Sequence, residues 1–323
     1  MKILITGAAG FIGSNLCETL SQDSTLKLIG LDSLNTFYNP EIKKRNIQSL
    51  KTKPHFTFHE GSLLDTDLLD TIFSNHKIDS IIHLAAYAGV RPSIQNPKLY
   101  YDHNITGTLN LLECCKKFKT NRVLFASSSS IYGNNEKVPF SEKDPVDHPI
   151  SPYAATKKAC ELMCYNYHHL YDIEIACIRF FTVYGPRQRP EMAIHKFTHL
   201  IENEQEIPVF NEGNCLRDYT YIDDIIQGLS KAVSFDSFTS EIPFEIFNLG
   251  NNSPVSTWQL VQYIEKYFDK ECNYSFQNSS IEVKETWANI NKSEKLLEFV
   301  PTTEFSKGME SFLDWFKSYK QIK

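Results

Sequence analysis

The sequence predicts an α/β fold, doubly wound, in which a parallel sheet carries helices on both faces. Short apolar runs alternate with amphipathic stretches through the first 180 residues, and a glycine-rich turn follows the first run directly. Parallel strands need crossover connections, which helices usually provide. The chain has 323 residues, more than one ordinary domain of roughly 100–200 residues, so we expect a large domain and a smaller one.

The apolar runs predict six strands, over 2–6, 27–31, 55–59, 80–84, 122–126 and 173–180. The stretches between them predict helices, over 11–21, 40–50, 65–75, 97–118 and 152–171. After Phe181 the alternation gives way to loops rich in Gly and Pro, with helical patterns over 191–203, 222–233 and 256–268. We expect residues 1–180 to form the first domain and residues 181–323 to form mainly a smaller α/β domain, with Phe244–Leu249 returning to the large sheet.

Composition indicates a folded globular protein and argues against several partners. Hydrophobic residues make up 41% of the chain, and the net charge of -6 is the wrong sign for a nucleic-acid surface. No apolar run approaches the roughly 20 residues of a membrane span, so we expect no membrane association. The eight cysteines form no CxxC pair and no ligand set, which predicts reduced thiols in a cytoplasmic protein and no metal.

The turn after the first strand has the sequence Gly-Ala-Ala-Gly-Phe-Ile-Gly over residues 7–13 and opens a helix. Glycines allow the backbone to approach a pyrophosphate, and the helix N-terminus supplies N–H groups and a positive dipole. Asp32 ends the second strand, where a carboxylate accepts hydrogen bonds from ribose hydroxyls and repels a 2′-phosphate. No basic residue follows before Lys43, so NAD is predicted rather than NADP.

A candidate catalytic pair stands at the start of the helix predicted over 152–171. Tyr153 and Lys157 are four residues apart and share one helix face, and a neighbouring ammonium favours the phenolate form of a tyrosine. Tyr153 is therefore predicted to accept a hydroxyl proton. The same spacing also occurs in helices without catalytic function. What strengthens it here is a run of serines over 127–130 at the carboxyl end of the preceding strand, where such folds bind ligands.

Several features of the sequence resemble the extended short-chain dehydrogenase/reductases, which have a Rossmann-like sheet. They are the glycine spacing, the segment His83-Leu84-Ala85-Ala86, Asn104, and the serine run followed by Tyr153 and Lys157. The resemblance implies that Leu84 to Ala86 line the adenosine and ribose and that Asn104 supports the active site. The family often has Asp where Ser62 stands, near adenine. The cofactor-binding residues expected are Gly7, Gly10, Phe11, Ile12, Gly13, Asp32, Ser62, Leu63, Leu84, Ala85, Ala86, Asn104, Tyr153 and Lys157.

The resemblance also assigns the reacting side chains. Ser128 is the best candidate for the hydroxyl that holds the reacting oxygen and relays its proton, and Ser129 and Ser130 line the sugar. In related dehydratases and decarboxylases an acidic residue stands at position 130. Serine there disfavours dehydration and decarboxylation and favours simple epimerisation. The catalytic residues expected are Ser128, Ser130, Tyr153 and Lys157.

Across nearly the whole chain, including residues 88–93 and 127–133, the sequence is most similar to UDP-glucuronate 4-epimerases, and residues 180–186 fit a nucleotide-sugar epimerase. UDP-glucose 4-epimerases come next and usually have Asn at the position of Thr182. Arginine forks bind phosphate and carboxylate bidentately, so arginines near this segment are candidate ligands. The substrate-binding residues expected are Ser128, Ser129, Thr182, Arg187, Arg189 and Arg217. Asp218 and the pair Asp223-Asp224 are expected to cap or begin the next helix.

The implied activity is NAD-dependent C4 epimerisation of UDP-glucuronate to UDP-galacturonate. UDP-glucose 4-epimerisation, UDP-glucuronate decarboxylation and a non-catalytic dinucleotide sensor on the same fold remain open. The resemblance suggests a homodimer through the helices over 97–118 and 152–171. The sequence departs from the family pattern over 280–283 and at Ala288-Asn289, so no site residue is assigned there.

Overall fold

The computed structural model describes residues 1–234, 244–277 and 283–320. The strands in these ranges are β1 Lys2–Thr6, β2 Lys27–Asp32, β3 Phe56–Glu60, β4 Ser80–His83, β5 Arg122–Ser128, β6 Glu174–Phe180, β7 Thr182–Tyr184, β8 Ile207–Phe210, β9 Leu216–Tyr221, β10 Phe244–Leu249, β11 Pro254–Ser256, β12 Tyr274–Gln277 and β13 Glu285–Thr286. The α-helices are α1 Phe11–Leu20, α2 Pro40–Asn46, α3 Thr66–Asn75, α4 Val90–Gln95, α5 Pro97–Tyr100, α6 Gly107–Phe118, α7 Pro152–Tyr171, α8 Ala193–Glu202, α9 Ile222–Ser234, α10 Thr257–Phe268, α11 Asn291–Leu297 and α12 Phe305–Lys320.

Seven parallel strands form the central sheet, in the order β10-β6-β5-β4-β1-β2-β3. Ile3 and Ile5 of β1 pack into one hydrophobic cluster and Leu4 packs into the other, and all three side chains are fully buried. Burial on both faces is what a parallel sheet covered by crossover helices requires. The doubly wound α/β fold class is therefore confirmed. Strand β10 pairs with β6, so the chain returns to the large sheet late in the sequence.

The remaining strands form two small sheets on the carboxyl side of the central sheet. Strand β9 lies between β11 and β13 and also pairs with β7, while β8 pairs with β12. Asp218 of β9 is fully buried and accepts hydrogen bonds from three backbone N–H groups, those of Asn251 at 2.7 Å, Ala288 at 2.9 Å and Asn252 at 3.1 Å. Asp218 thus joins β9 to the segments that precede β11 and α11.

Several elements differ from the sequence predictions. The helix expected over 97–118 is interrupted by a π-helix at Tyr101–Thr106, and the one expected over 40–50 ends at Asn46. The prediction that Asp218 caps or begins a helix is wrong, because it lies within a strand; Asp223 and Asp224 do lie in the first turn of α9. Helices α11 and α12 and the short strands were not anticipated. Within the ranges described above, no helix has the length and apolar character needed to cross a bilayer.

Replacing Asp218 by Ala should destabilise the fold. The change leaves three backbone N–H groups without their acceptor, and an unsatisfied buried donor costs about 1–3 kcal/mol. We expect the free energy of unfolding, measured by urea denaturation, to fall by about 2 kcal/mol or more. The exposed Asp223 offers a matched control, for which Asp223→Ala should change it by less than about 0.5 kcal/mol. Equal losses in the two variants would contradict this account of Asp218.

Candidate active site

A cavity of about 730 Å³ lies at the carboxyl edge of the central sheet and reaches the small sheets. It is lined by residues that end or directly follow strands of the central sheet, where open α/β folds bind ligands. All but two of the expected site residues line it, namely Gly7, Gly10, Phe11, Ile12, Gly13, Asp32, Ser62, Leu63, Leu84, Ala85, Ala86, Ser128, Ser129, Ser130, Tyr153, Lys157, Thr182, Arg189 and Arg217. Asn104 and Arg187 do not.

The glycine-rich turn needs glycine at both of its ends. Gly7 has φ of +71°, and a Cβ there would lie 2.8 Å from the Ala85 backbone nitrogen. A Cβ on Gly13 would clash with the Gly7 carbonyl oxygen. The backbone therefore carries no side chain at Gly7 and Gly13, and residues 10–13, where α1 begins, line the cavity. Such a cradle fits the pyrophosphate of a dinucleotide.

Asp32 forms the part of the cavity wall next to the glycine-rich turn. Its carboxylate accepts hydrogen bonds from the N–H groups of Leu34 at 2.9 Å and Ala9 at 3.0 Å. Burial raises the pKa of Asp32, while these hydrogen bonds and the nearby Lys43 ammonium oppose the rise. Lys43 also lines the cavity, and its ammonium donates to both the carbonyl and the side-chain oxygen of Asn35. In the sequence Lys43 stands out only as a distant basic residue, because no local sequence pattern shows that α2 brings it back beside Asp32.

Helix α7 presents the candidate catalytic pair, Tyr153 and Lys157. Ser151 caps it by accepting a hydrogen bond from the Ala154 N–H at 3.1 Å, and Pro152 occupies the first turn. The Lys157 ammonium is buried and donates to the Ala126 carbonyl of β5 at 2.6 Å. The Tyr153 ring packs edge-on against Tyr100 with a centroid distance of 6.2 Å.

The serine run over 127–130 lines the same cavity. Strand β5 ends at Ser128, and a 3₁₀ turn follows over Ser129–Tyr132. The Ser128 hydroxyl accepts hydrogen bonds from the Ser130 hydroxyl at 2.9 Å and the Ser130 N–H at 3.2 Å. In this arrangement the Ser128 proton can be donated to a ligand oxygen. Position 130 thus supplies a hydroxyl that orients Ser128, rather than a carboxylic acid.

Asn104 lies behind the cavity wall, in the π-helix. Its side chain accepts a hydrogen bond from the Tyr87 N–H at 2.8 Å and donates to the Tyr87 carbonyl at 2.9 Å and to the Thr156 hydroxyl at 3.0 Å. The amide therefore connects the loop after β4 to the first turn of α7. A π-helix inside a longer helix frequently marks a functional site, and here it turns Asn104 towards both elements.

The three expected arginines have different positions. Arg217 of β9 lines the cavity. Arg189 also lines it, and its guanidinium contacts the Glu191 carboxylate at 2.8 Å. Arg187 instead contacts Glu18 of α1 at 2.5 Å, outside the cavity. Its φ of +71° reverses the local direction of the chain, so Arg187 and Arg189 point to different places although only one residue separates them.

Sequence reasoning also missed a contact that spans the cavity. The Arg91 guanidinium lies 3.8 Å from the ring centroid of Phe210, and both residues line the cavity. Arg91 lies in α4, in the connection that follows β4, whereas Phe210 ends β8, so the contact joins this connection to a small sheet. Arg91 belongs to the segment 88–93, which carries part of the family resemblance, but the sequence alone gave no role for Arg91.

Two regions receive no role. Residues 280–282 of the divergent segment lie outside the described residues, while Val283 lines the cavity. Asn289 accepts a hydrogen bond from the Asn291 N–H at the start of α11. In the described ranges, no group of three or more His, Cys, Asp or Glu side chains is placed to hold a metal ion.

Comparison with known proteins gives consistent similarities. The family model described as the NAD dependent epimerase/dehydratase family matches residues 3–250. Protein CapI of Staphylococcus aureus is 42% identical over 99% of this chain and 99% of its own length. A UDP-glucuronate 4-epimerase of Thermodesulfobacterium geofontis is 42% identical over 97% of this chain and 95% of its own.

A solved structure supports the same assignment. The UDP-glucuronic acid 4-epimerase from Bacillus cereus, in complex with UDP-glucuronic acid and NAD, is similar with a TM-score of 0.92 and 38% identity, covering 99% of this chain and 100% of that chain. The glycine-rich turn, Asp32, Ser128, Tyr153 and Lys157 line one cavity of this chain. The chain belongs to the NAD dependent epimerase/dehydratase family.

Proposed function

We propose that this chain is a 4-epimerase that interconverts UDP-glucuronate and UDP-galacturonate, with NAD as a bound cofactor. The observation that carries the proposal is the single cavity in which the glycine-rich cradle leads to Ser128, Tyr153 and Lys157 and then to Thr182 and Arg189. The substrate named for the T. geofontis relative and bound in the B. cereus structure supports the uronate. We assign cofactor binding to residues 1–180 with β10, and substrate binding mainly to residues 181–323.

The chain's own residues carry the proton transfer. NAD⁺, when bound, accepts a hydride from C4 of the sugar and returns it to the opposite face of the 4-keto sugar, so no net oxidation occurs. Tyr153 accepts the proton of the C4 hydroxyl, and Ser128 holds that oxygen. Lys157 donates to the Ala126 carbonyl, which holds its side chain on the same face of α7 as Tyr153.

The uronate carboxylate requires its own partner. The 4-keto form of a uronic acid is a β-keto acid, which can lose CO₂ if the carboxylate turns out of the sugar plane. Thr182 offers a hydroxyl and Arg189 a guanidinium in the same cavity. Burial raises the pKa of Tyr100, and the nearby Arg189 charge opposes that rise, which puts Arg189 on the side of the Tyr100 and Tyr153 rings. We infer that these groups clamp the carboxylate and restrain its rotation.

Two further assignments belong to this proposal. All eight cysteines, each within the described residues, are free thiols, which supports a cytoplasmic location. Helices α6 and α7 expose large apolar side chains, Leu109 by 38%, Leu162 by 58% and Tyr165 by 55%. Apolar side chains on neighbouring helices are suited to a self-complementary contact, and we infer a homodimer through this face.

Tyr153→Phe should abolish epimerisation while NAD remains bound. The variant removes the proton acceptor and little volume, and loss of a general base lowers the rate by about 10²–10⁴-fold. Turnover of UDP-glucuronate by chromatography and retention of NAD by absorbance measure the two effects. Tyr171→Phe, at an exposed end of the same helix, serves as the control and should retain activity. Near-normal turnover in Tyr153→Phe would remove this tyrosine from the mechanism.

We expect UDP-glucuronate to be preferred over UDP-glucose by at least about tenfold in kcat/KM, or roughly 1.4 kcal/mol. Arg189→Ala should erase most of this preference, because it removes the cation that pairs with the carboxylate. Arg187→Ala is the matched comparison: it removes the same charge from outside the cavity and should leave the preference intact. If the wild-type protein turns over UDP-glucose equally well, the uronate assignment fails and the UDP-glucose 4-epimerase hypothesis replaces it.

Leu162→Glu should convert the dimer to monomers, because it places a charge in the apolar contact that we assign to α6 and α7. Sedimentation velocity at micromolar protein measures the change. The control is Phe276→Glu on β12, which alters a side chain exposed by 61% away from these helices and should leave the dimer unchanged. A wild-type protein that sediments as a monomer would rule the assembly out.

A further inference from the structure

Helix α7 is joined to the carboxyl end of β5 by two buried contacts one helical turn apart. Lys157 donates to the Ala126 carbonyl at 2.6 Å, and the Ser127 hydroxyl donates to the Glu161 carboxylate at 2.6 Å. Consecutive residues of the strand thus contact helix residues four apart. Ser127 and Glu161 are 3% and 2% exposed, so water does not compete for their hydrogen bond.

Strand β5 needs these contacts with α7 at its carboxyl end. Strand β4 pairs with β5 only as far as Phe125, because β4 ends at His83 and the chain turns away into the cavity wall. Strand β6 pairs with β5 as far as Ser128. Residues 126–128 are therefore held by backbone pairing on one side only. The Ala126 carbonyl, which orients the Lys157 ammonium, lies in this half-supported segment.

Glu161, which accepts the hydrogen bond from Ser127, is itself held in place. Glu161 forms a buried two-point contact with Arg179 of β6, with both N–O distances 2.9 Å. Arg179 also donates to the Tyr132 hydroxyl at 3.0 Å, and that hydroxyl donates to the Asn248 side chain at 2.7 Å. Buried ion pairs contribute little net stability, but a fully hydrogen-bonded one has a defined geometry. Glu161 is thus a fixed point to which Ser127 is bound.

We propose that Ser127 is a positioning residue for the proton transfer. Its hydrogen bond to Glu161 fixes the Ala126 carbonyl, and that carbonyl in turn holds the Lys157 ammonium beside Tyr153. Ser127 acts through Lys157, whereas Ser128 acts on the reacting oxygen itself. This role rests on the proposed epimerase function. A merely structural role would hold α7 against the sheet without affecting the protonation of the catalytic pair.

Ser127→Ala in the NAD-loaded enzyme is the principal variant. We expect kcat for UDP-glucuronate to fall by roughly tenfold or more with KM within about twofold of wild type, because a displaced ammonium misaligns the proton transfer. The acidic limb of the pH–rate profile should also move relative to wild type, because the charged group next to the proton acceptor has changed position. Ser127→Thr, which keeps the hydroxyl, should restore the wild-type limb.

The other titratable groups around Lys157 do not account for such a shift. Burial, and then the Lys157 charge, lowers the pKa of His83 to about 3. Burial raises the pKa of Cys160 to about 11. Neither group titrates near neutral pH, and Glu161 is paired with Arg179. A moving acidic limb in Ser127→Ala therefore does not come from His83 or Cys160.

Tyr132→Phe provides the matched control. It removes one hydroxyl from the same buried network, but on the far side of Arg179 from Ser127. We expect a loss in Tm similar to that of Ser127→Ala, with kcat within about threefold of wild type and an unchanged pH profile. If Tyr132→Phe reproduces the pH shift of Ser127→Ala, the network is structural and the proposal is overturned. A Ser127→Ala variant with the wild-type kcat and profile also overturns it.

Two further measurements separate the possible failures. If Ser127→Ala does not fold, Ser127→Cys, whose thiol is a weaker donor, should show the same shift to a smaller degree; a wild-type profile overturns the proposal. If the wild-type protein epimerises neither UDP-glucuronate nor UDP-glucose, the proposed function fails. The crystal structure of Ser127→Ala then decides the positioning role. Displacement of Lys157 from the Ala126 carbonyl supports it, and an unchanged contact overturns it.

Discussion

The parallel pairing of the central sheet is the constraint on which the site depends. Because all seven strands run in one direction, their carboxyl ends meet at one edge, and the cavity lies along it. Asp32 and Ser128 are the last residues of β2 and β5, so their positions follow from the sheet itself. Tyr153 and Lys157 lie at the same edge because the crossover helix α7 begins there, before it returns across the sheet face. The candidate site residues thus start from backbone positions that the sheet and its crossover helix determine.

The position of the backbone does not by itself orient a side chain. Buried polar contacts orient several side chains and segments around the site. Asp32 accepts backbone N–H groups of the glycine-rich turn, Asn104 joins the loop after β4 to α7, and Asp218 binds three N–H groups. Burial raises the pKa of Asp218 to about 6, although the three N–H groups oppose the rise. Groups that are costly to bury are therefore retained where segments from distant parts of the sequence must meet.

The sequence predicted what local patterns determine. The strands over 2–6 and 80–84, the glycine-rich turn and α7 each combine apolar periodicity with a recognisable start or stop signal. The π-helix containing Asn104 carries no such signal, since its sequence is compatible with a straight helix. Arg187 and Arg189 could not be told apart, because the difference arises from a left-handed backbone at Arg187. Lys43 reaches Asp32 only through the tertiary fold, which no local pattern encodes.

The contact between Arg189 and Glu191 limits how a uronate can be selected. The Arg189 side chain is 23% exposed, so much of its desolvation cost is already met in the folded protein, with Glu191 as its partner. A substrate carboxylate must share the guanidinium with Glu191, which repels it, whereas a hydroxymethyl group leaves the existing pair undisturbed. The gain in binding from the uronate is therefore smaller than an isolated arginine would provide. What the arrangement does supply is direction: two acceptors on one planar guanidinium fix the plane of the substrate carboxylate. Restraining that plane is the requirement that a β-keto acid intermediate imposes, so in the clamp that we propose the pair of Arg189 and Glu191 favours retention of CO₂ more than affinity.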